Sequence, residues 1–140
     1  MVKNDIAPCG LACCFCELNE KNGLTKVWEM VGKAYGKTAD EIKCRGCWEQ
    51  DGCTIHDECE TLECAKEKGI DSCSECIGFP CEKLHPALDL AERLPHNIKL
   101  YNLCRIKRIG PEEFLKEAQL IKERYFKGKM VIGAGPRLPD

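Results

Sequence analysis

Residues 59–81 read CETLECAKEKGIDSCSECIGFPC, and Cys59, Cys64, Cys73, Cys76 and Cys81 all fall within that one stretch. Cys73, Cys76 and Cys81 are spaced C-x2-C-x4-C, while Cys59 and Cys64 have four residues between them. A two-residue gap lets a short knuckle turn two thiolates onto one ion. Working outward, the same grammar recurs. Residues 9–16 read CGLACCFC, which sets Cys9, Cys13 and Cys16 as C-x3-C-x2-C, and residues 44–47 read CRGC, which pairs Cys44 with Cys47. Ten of the thirteen cysteines therefore sit in close groups. Packing alone does not call for such grouping, so these ten are the candidate metal ligands.

Length and composition bound the rest. At 140 residues the chain is read as a single domain, with a cysteine-rich part over 5–81, a helical part over 82–127 and a loosely ordered tail over 128–140. Aromatic content of 6% against 31% charged residues leaves a modest apolar core, for which metal cross-links can compensate. No apolar run approaches the roughly 18 residues of a membrane span. The start, MVKNDIAPCGLACC, lacks the charged-then-apolar order of a secretory signal. A cytoplasmic address is expected, where thiols stay reduced and free for metal. Thirteen is an odd number, and adjacent Cys13 and Cys14 suit a disulfide framework poorly, so metal ligation is preferred to structural disulfides.

Charge is uneven. Residues 1–90 carry 10 Lys/Arg against 17 Asp/Glu, and residues 91–140 carry 11 against 6. The reading preferred here is that the basic C-terminal part docks on the acidic cysteine-rich part; a surface for nucleic acid is the alternative.

Periodicity places the helices. Leu24, Val27, Trp28, Val31 and Tyr35 recur at helical spacing within residues 22–43, Gly36 is a stop, and Thr38 with Glu41 has the pattern of a capping box for a short following helix. Residues 44–81 show little periodicity and are expected to be held by ligands rather than by a core. Further helices are predicted over Glu82–Leu94, His96–Ile109 and Glu112–Lys127, bounded by Pro95, Gly110-Pro111 and Gly128. Phe114, Ala118, Ile121 and Tyr125 form the apolar stripe of the last, and Glu112 and Glu113 suit its first turn.

The segments CGLACCFC, CRGC, CETLECAKEKGIDSCSECIGFPCEKL and NLCRIKRIG, the last before a final amphipathic helix, together resemble the domain of unknown function 3795, a family of bacteria and archaea with no assigned reaction. The resemblance runs over roughly residues 6–126. It implies that the family's recurrent cysteines fall on Cys9, Cys13, Cys16, Cys44, Cys47, Cys59, Cys64, Cys73, Cys76 and Cys81. Cys14, Cys53 and Cys104 look like additions of this sequence.

Zinc, as two or three ions, is the expected metal, because it accepts all-thiolate tetrahedra and paired C-x2-C knuckles are its commonest structural form. Cys44 and Cys47 with Cys73 and Cys76 would make one site, and Cys59, Cys64 and Cys81 a second, with His56 and His85 as candidate fourth ligands. The alternative cofactor is a [4Fe–4S] cluster, since C-x3-C-x2-C is also a cluster spacing. The radical S-adenosylmethionine enzymes that share this spacing need a partial barrel too large for this chain. Cys104, among Leu100, Leu103 and Ile106, reads as a small buried hydrophobe. Cys53, midway between Cys47 and Cys59, is the most ambiguous; with Cys14 it would raise the ligand count to twelve.

No G-x-S-x-G, Gly-rich phosphate loop or H-E-x-x-H occurs, so no catalytic residue is assigned and the chain is not expected to be an enzyme. Trp28 and Trp48 are too few for a base-stacking platform. The expected architecture is a small α-rich domain, α+β at most, stabilised by metal, with cysteine knuckles packed against three or four helices. The expected role is interaction or regulation through a protein partner, without a membrane. An iron–sulfur protein for electron transfer or redox sensing, and a zinc-dependent nucleic-acid-binding module, are the alternatives.

Overall fold

The computed structural model describes residues 2–55, 58–84 and 97–140. Among these, six α-helices account for most of the regular structure: α1 (Val2–Asp5), α2 (Thr25–Tyr35), α3 (Ala39–Ile42), α4 (Glu60–Lys68), α5 (Asn97–Ile109) and α6 (Pro111–Lys127). A two-stranded antiparallel sheet, β1 (Lys129–Val131) and β2 (Gly135–Arg137), follows α6, with Met130 opposite Pro136. Two short 3₁₀ turns, Cys13–Phe15 and Cys73–Glu75, form the bends of the two C-x2-C knuckles.

The expected helix over residues 22–43 is observed as the pair α2 and α3. Gly36 ends α2 in the left-handed conformation, φ 66°, where a side chain would be strained. Thr38 then caps α3: its hydroxyl accepts from the Glu41 N–H, and the Glu41 carboxylate accepts from the Thr38 N–H at 2.7 Å. Trp28 and Ile42 are the buried anchors of this pair.

The main core lies elsewhere, between α5, α6 and the beginning of the chain. Ile98 and Ile106 from α5 meet Phe114, Ala118 and Ile121 from α6, and Ile6 completes the cluster. Phe15 of the first knuckle, Leu11 and Ala12 pack against it. The apolar stripe predicted for the last helix is thus the face that is buried, with Tyr125 at its partly covered edge. Gly10 lets the knuckle approach α5 closely. Its φ is 88°, a Cβ there would lie 2.8 Å from Leu103 Cγ, and its carbonyl accepts from Asn102 Nδ2 at 2.8 Å.

Four expectations need correction or restriction. The cysteine block contains a helix, α4, that its thin periodicity concealed; Thr61, Leu62 and Ala65 are its narrow buried face, and Gly69 caps it at φ 63°. Glu82–Leu84 are not helical, and the remainder of the predicted helix to Leu94 lies outside the described residues, as do His56 and His85. The tail is not loose throughout, because residues 129–137 form the hairpin. Cys104 is exposed, not buried. Leu103 and Ile106 share the inner face of α5, and the 100° step from Leu103 to the next residue carries Cys104 off it.

The basic helices meet the cysteine-rich part at Lys122 of α6, which donates to the Phe15 carbonyl and to Glu17, both at 2.6 Å. Within the helix pair itself, Arg105 pairs with Glu117, at 2.6 and 3.0 Å. No helix among the described residues is long and apolar enough to cross a membrane.

Candidate metal centre

Backbone hydrogen bonds bring the separate cysteine motifs together. The first knuckle closes with the Cys16 N–H on the Cys13 carbonyl, 3.1 Å, and the second repeats the bond from Cys76 to Cys73 at the same distance. Asn19, buried at 4% exposure, donates to the Cys13 carbonyl at 3.0 Å and forms a parallel bridge with Cys44. The Cys44 N–H donates to Leu18 at 2.8 Å, and the Glu20 N–H to Cys44 at 2.9 Å. CRGC is thereby strapped alongside the chain leaving the first knuckle. The second knuckle is tied to the first through the Cys73 N–H, which donates to Pro8 at 2.9 Å.

Two sets of thiols feel one another's charge. The larger includes Cys9, Cys13, Cys16, Cys44, Cys47, Cys53 and Cys59. Within it the Cys13 thiol donates to Cys47; that hydrogen bond holds the Cys13 proton and pulls Cys47 down to about 7, while burial and the Cys47 charge further oppose ionisation of Cys13. Burial pushes the Cys9 thiol up, and the nearby sulfurs of Cys47 and Cys59 add to this. Cys16 is likewise raised by burial and faces Cys53. Burial raises Cys44 to about 11, with Cys16, Cys47 and Cys53 as neighbouring charges.

The smaller group, Cys64, Cys73, Cys76 and Cys81, lines a cavity of about 20 Å3 beside α4. A volume of that order admits about one water-sized occupant. Burial raises Cys73 to about 12, and its neighbours include Cys9 as well as Cys81, Cys64 and Cys76. Cys76 is lowered by the Gly78 amide and then by Lys68, whose Nζ lies 3.3 Å from its sulfur. The charges that reach Cys44 come from Cys16, Cys47 and Cys53, and those that reach Cys73 come from Cys9, Cys81, Cys64 and Cys76.

Features around the sulfurs favour negative charge on them. The Gly46 N–H donates to Cys44 Sγ at 3.3 Å, two residues on from the cysteine. The amides of Leu11, Leu18 and Gly78 stand in the same relation to Cys9, Cys16 and Cys76 and favour their ionised forms. Gly46 is constrained there, since φ is 98° and a Cβ would lie 3.0 Å from the Asn4 carbonyl. Lys99 of α5 is buried at 7% exposure, and its charge favours ionisation of both Cys9 and Cys47. Sequence reasoning missed Lys99. A lysine at an inward register of α5, beside Ile98 and Asn102, was the available signal.

All thirteen cysteines are free thiols. Among the described residues, no group of three or more Cys, His, Asp or Glu side chains is placed so that it could hold a metal ion. Cys14 is raised by burial and by Asp5 and has no neighbouring sulfur among its causes of shift. Away from the cysteines, a cleft of about 810 Å3 lies between α6 and the hairpin, with Tyr101, Arg124, Tyr125 and Arg137 on its walls.

No curated protein and no solved structure matches the chain. One family does, described as a protein of unknown function (DUF3795), over residues 5–86. That span holds both knuckles, CRGC, α4 and every cysteine of the two groups, and it stops short of the α5–α6 pair. It covers more than half of the sequence, and the chain accordingly belongs to the domain of unknown function 3795 family.

Proposed function

We propose that this chain is a metal-binding protein, with zinc ions held by cysteine thiolates, acting through interaction or regulation rather than catalysis. The single observation that carries this reading is the tying together of the separate cysteine motifs by backbone hydrogen bonds, with amide N–H groups and a buried lysine that favour thiolates. A thiolate is the form that ligates metal, and zinc accepts four of them. Structural disulfides would not need N–H donors aimed at sulfur. Free thiols in this number also fit a reducing compartment such as the cytoplasm.

The iron–sulfur reading stays attached to one feature: Cys13 neighbours both Cys9 and Cys16, so the C-x3-C-x2-C thiols share one locality. The nucleic-acid reading is weakened, because Lys99, Arg105 and Lys122 are engaged within the molecule. A protein partner fits better than nucleic acid. Metal analysis of protein purified without air decides among these. Colourless protein carrying zinc is expected; brown protein with iron and acid-labile sulfide would replace the zinc reading, and metal-free folded protein would end both.

A further inference from the structure

The last turns of α6 and the hairpin that follows enclose the cleft of about 810 Å3, a volume in the range of small-molecule sites. Leu120, Ile121, Arg124 and Tyr125 form its α6 wall, where spacings of three and four residues put them on one helical face. Tyr101 of α5 and Arg137 of β2 supply the other sides. Ile121 belongs also to the main core, so the cleft is seated on packed structure. Gly128 sets the position of the hairpin. A Cβ there would lie 2.9 Å from the Arg137 carbonyl and closer still to that of Arg124, so glycine is what lets β2 return against the end of α6.

The chemistry of the walls says what would occupy the space. Arg105 is paired with Glu117, whereas among the described residues the side chains of Arg124 and Arg137 have no hydrogen bond or ion pair. Asp140 also lines the cleft, and no ion pair joins it to either arginine. A guanidinium offers a fork of donors that matches phosphate or carboxylate. The rings of Tyr101 and Tyr125 have centroids 5.8 Å apart and are tilted by 48°, and Tyr101 is 41% exposed. Such a pair leaves ring surface for a further flat group. Residues 91–140, with 11 Lys/Arg against 6 Asp/Glu, draw anions towards this end of the chain.

We propose that this cleft binds a small anionic ligand in which a phosphate or carboxylate is joined to a flat ring, the anion on Arg124 and Arg137 and the ring against Tyr101 and Tyr125. The site is independent of the metal-binding reading: every residue that lines it lies beyond residue 86, where the family match ends.

The test follows amide NMR shifts of the full wild-type chain, as purified, on addition of adenosine monophosphate and, separately, of naphthoate. Saturable binding of at least one probe is expected, with shifts grouped at residues 120–125 and 134–138. The tighter probe names the anion as phosphate or carboxylate. Its separated halves (inorganic phosphate and adenosine, or acetate and naphthol) should each bind at least about 10-fold more weakly. Arg124→Gln and Arg137→Gln should each weaken the tighter probe by about 10-fold. Tyr101→Leu should weaken it by about 5-fold. Binding of neither probe, shifts grouped elsewhere, a half that binds as tightly as the whole, or unchanged affinity in the double arginine variant would each overturn the site. The comparison of whole probes with their halves needs no variant, so it decides the question even where a substitution disturbs the hairpin. Bound metal, measured in the same samples, should not change, and its absence would leave the cleft untouched.

Discussion

The α5–α6 pair and the cysteine block of residues 44–84 are held together by different physics. In the helix pair, Leu103 and Phe114 are fully buried and Ile98, Ile106, Ala118 and Ile121 nearly so. Each large side chain removed from water there contributes roughly 1.5–3 kcal/mol. In the cysteine block the buried apolar residues are Leu62 and Ala65, joined by the polar Thr61, Ser72 and Ser74, while Ile77 stands fully exposed. Water exclusion contributes most in the first region. The second has short turns, backbone ties and sulfurs, and under the proposed function metal held by those sulfurs would supply what its small core does not.

The largest effect follows directly. Stripping metal with a strong chelator under reducing conditions should remove stabilisation on the order of 10 kcal/mol per structural ion. Hydrogen exchange should then be fast in residues 44–84 and remain protected in α5 and α6. Equal loss of protection in both regions, or an unchanged melting curve after verified metal removal, would erase the contrast drawn here.

Acid and base should separate the metal-loaded and metal-free proteins. In the metal-free fold, Cys44 and Cys73 hold their protons up to about 11 and about 12. An unfolded thiol releases its proton near about 8.5. These raised groups contribute stability that is complete below about 8.5 and is lost as pH climbs through their folded values. Metal binding runs the other way, because the ion must displace those protons, so affinity rises with pH and falls on acidification. Melting temperatures of the two forms across pH should therefore diverge. Parallel curves would mean that the thiols are not the linked groups.

Lys99→Met should sharpen the role of the buried lysine whose charge favours ionisation of Cys9 and Cys47. A partner placed behind the ligands typically governs metal affinity by 10- to 100-fold, and a loss of about 10-fold is expected here. Competition with a chromogenic chelator measures it; unchanged affinity would show that Lys99 is only a packing element. The smallest effect concerns α3. Thr38→Ala removes the cap and should cost about 1 kcal/mol in thermal stability while leaving metal stoichiometry unchanged. A change in bound metal there would mean that the two regions are not separable.

How much was legible in the sequence varies with the range of the interaction involved. Gly36 as a stop, the Thr38–Glu41 box, the stripe of α6 and the two C-x2-C knuckles were all readable, because each depends on residues within one or two turns of one another. The helix α4 escaped because its buried face is only Thr61, Leu62 and Ala65, too narrow to register as a period. Cys104 was misread because a neighbouring apolar residue in sequence is not a neighbour on the same helical face.

What the sequence by itself determined is the inventory: ten cysteines in groups, a helix pair with an inward stripe, and an acidic part followed by a basic one. Which cysteine motifs meet was decided only by tertiary structure. The strap from Cys44 to Leu18 and Glu20 and the tie from Cys73 to Pro8 bring them together. Those contacts join residues distant in the chain through backbone hydrogen bonds. Spacing along the sequence carries no record of them.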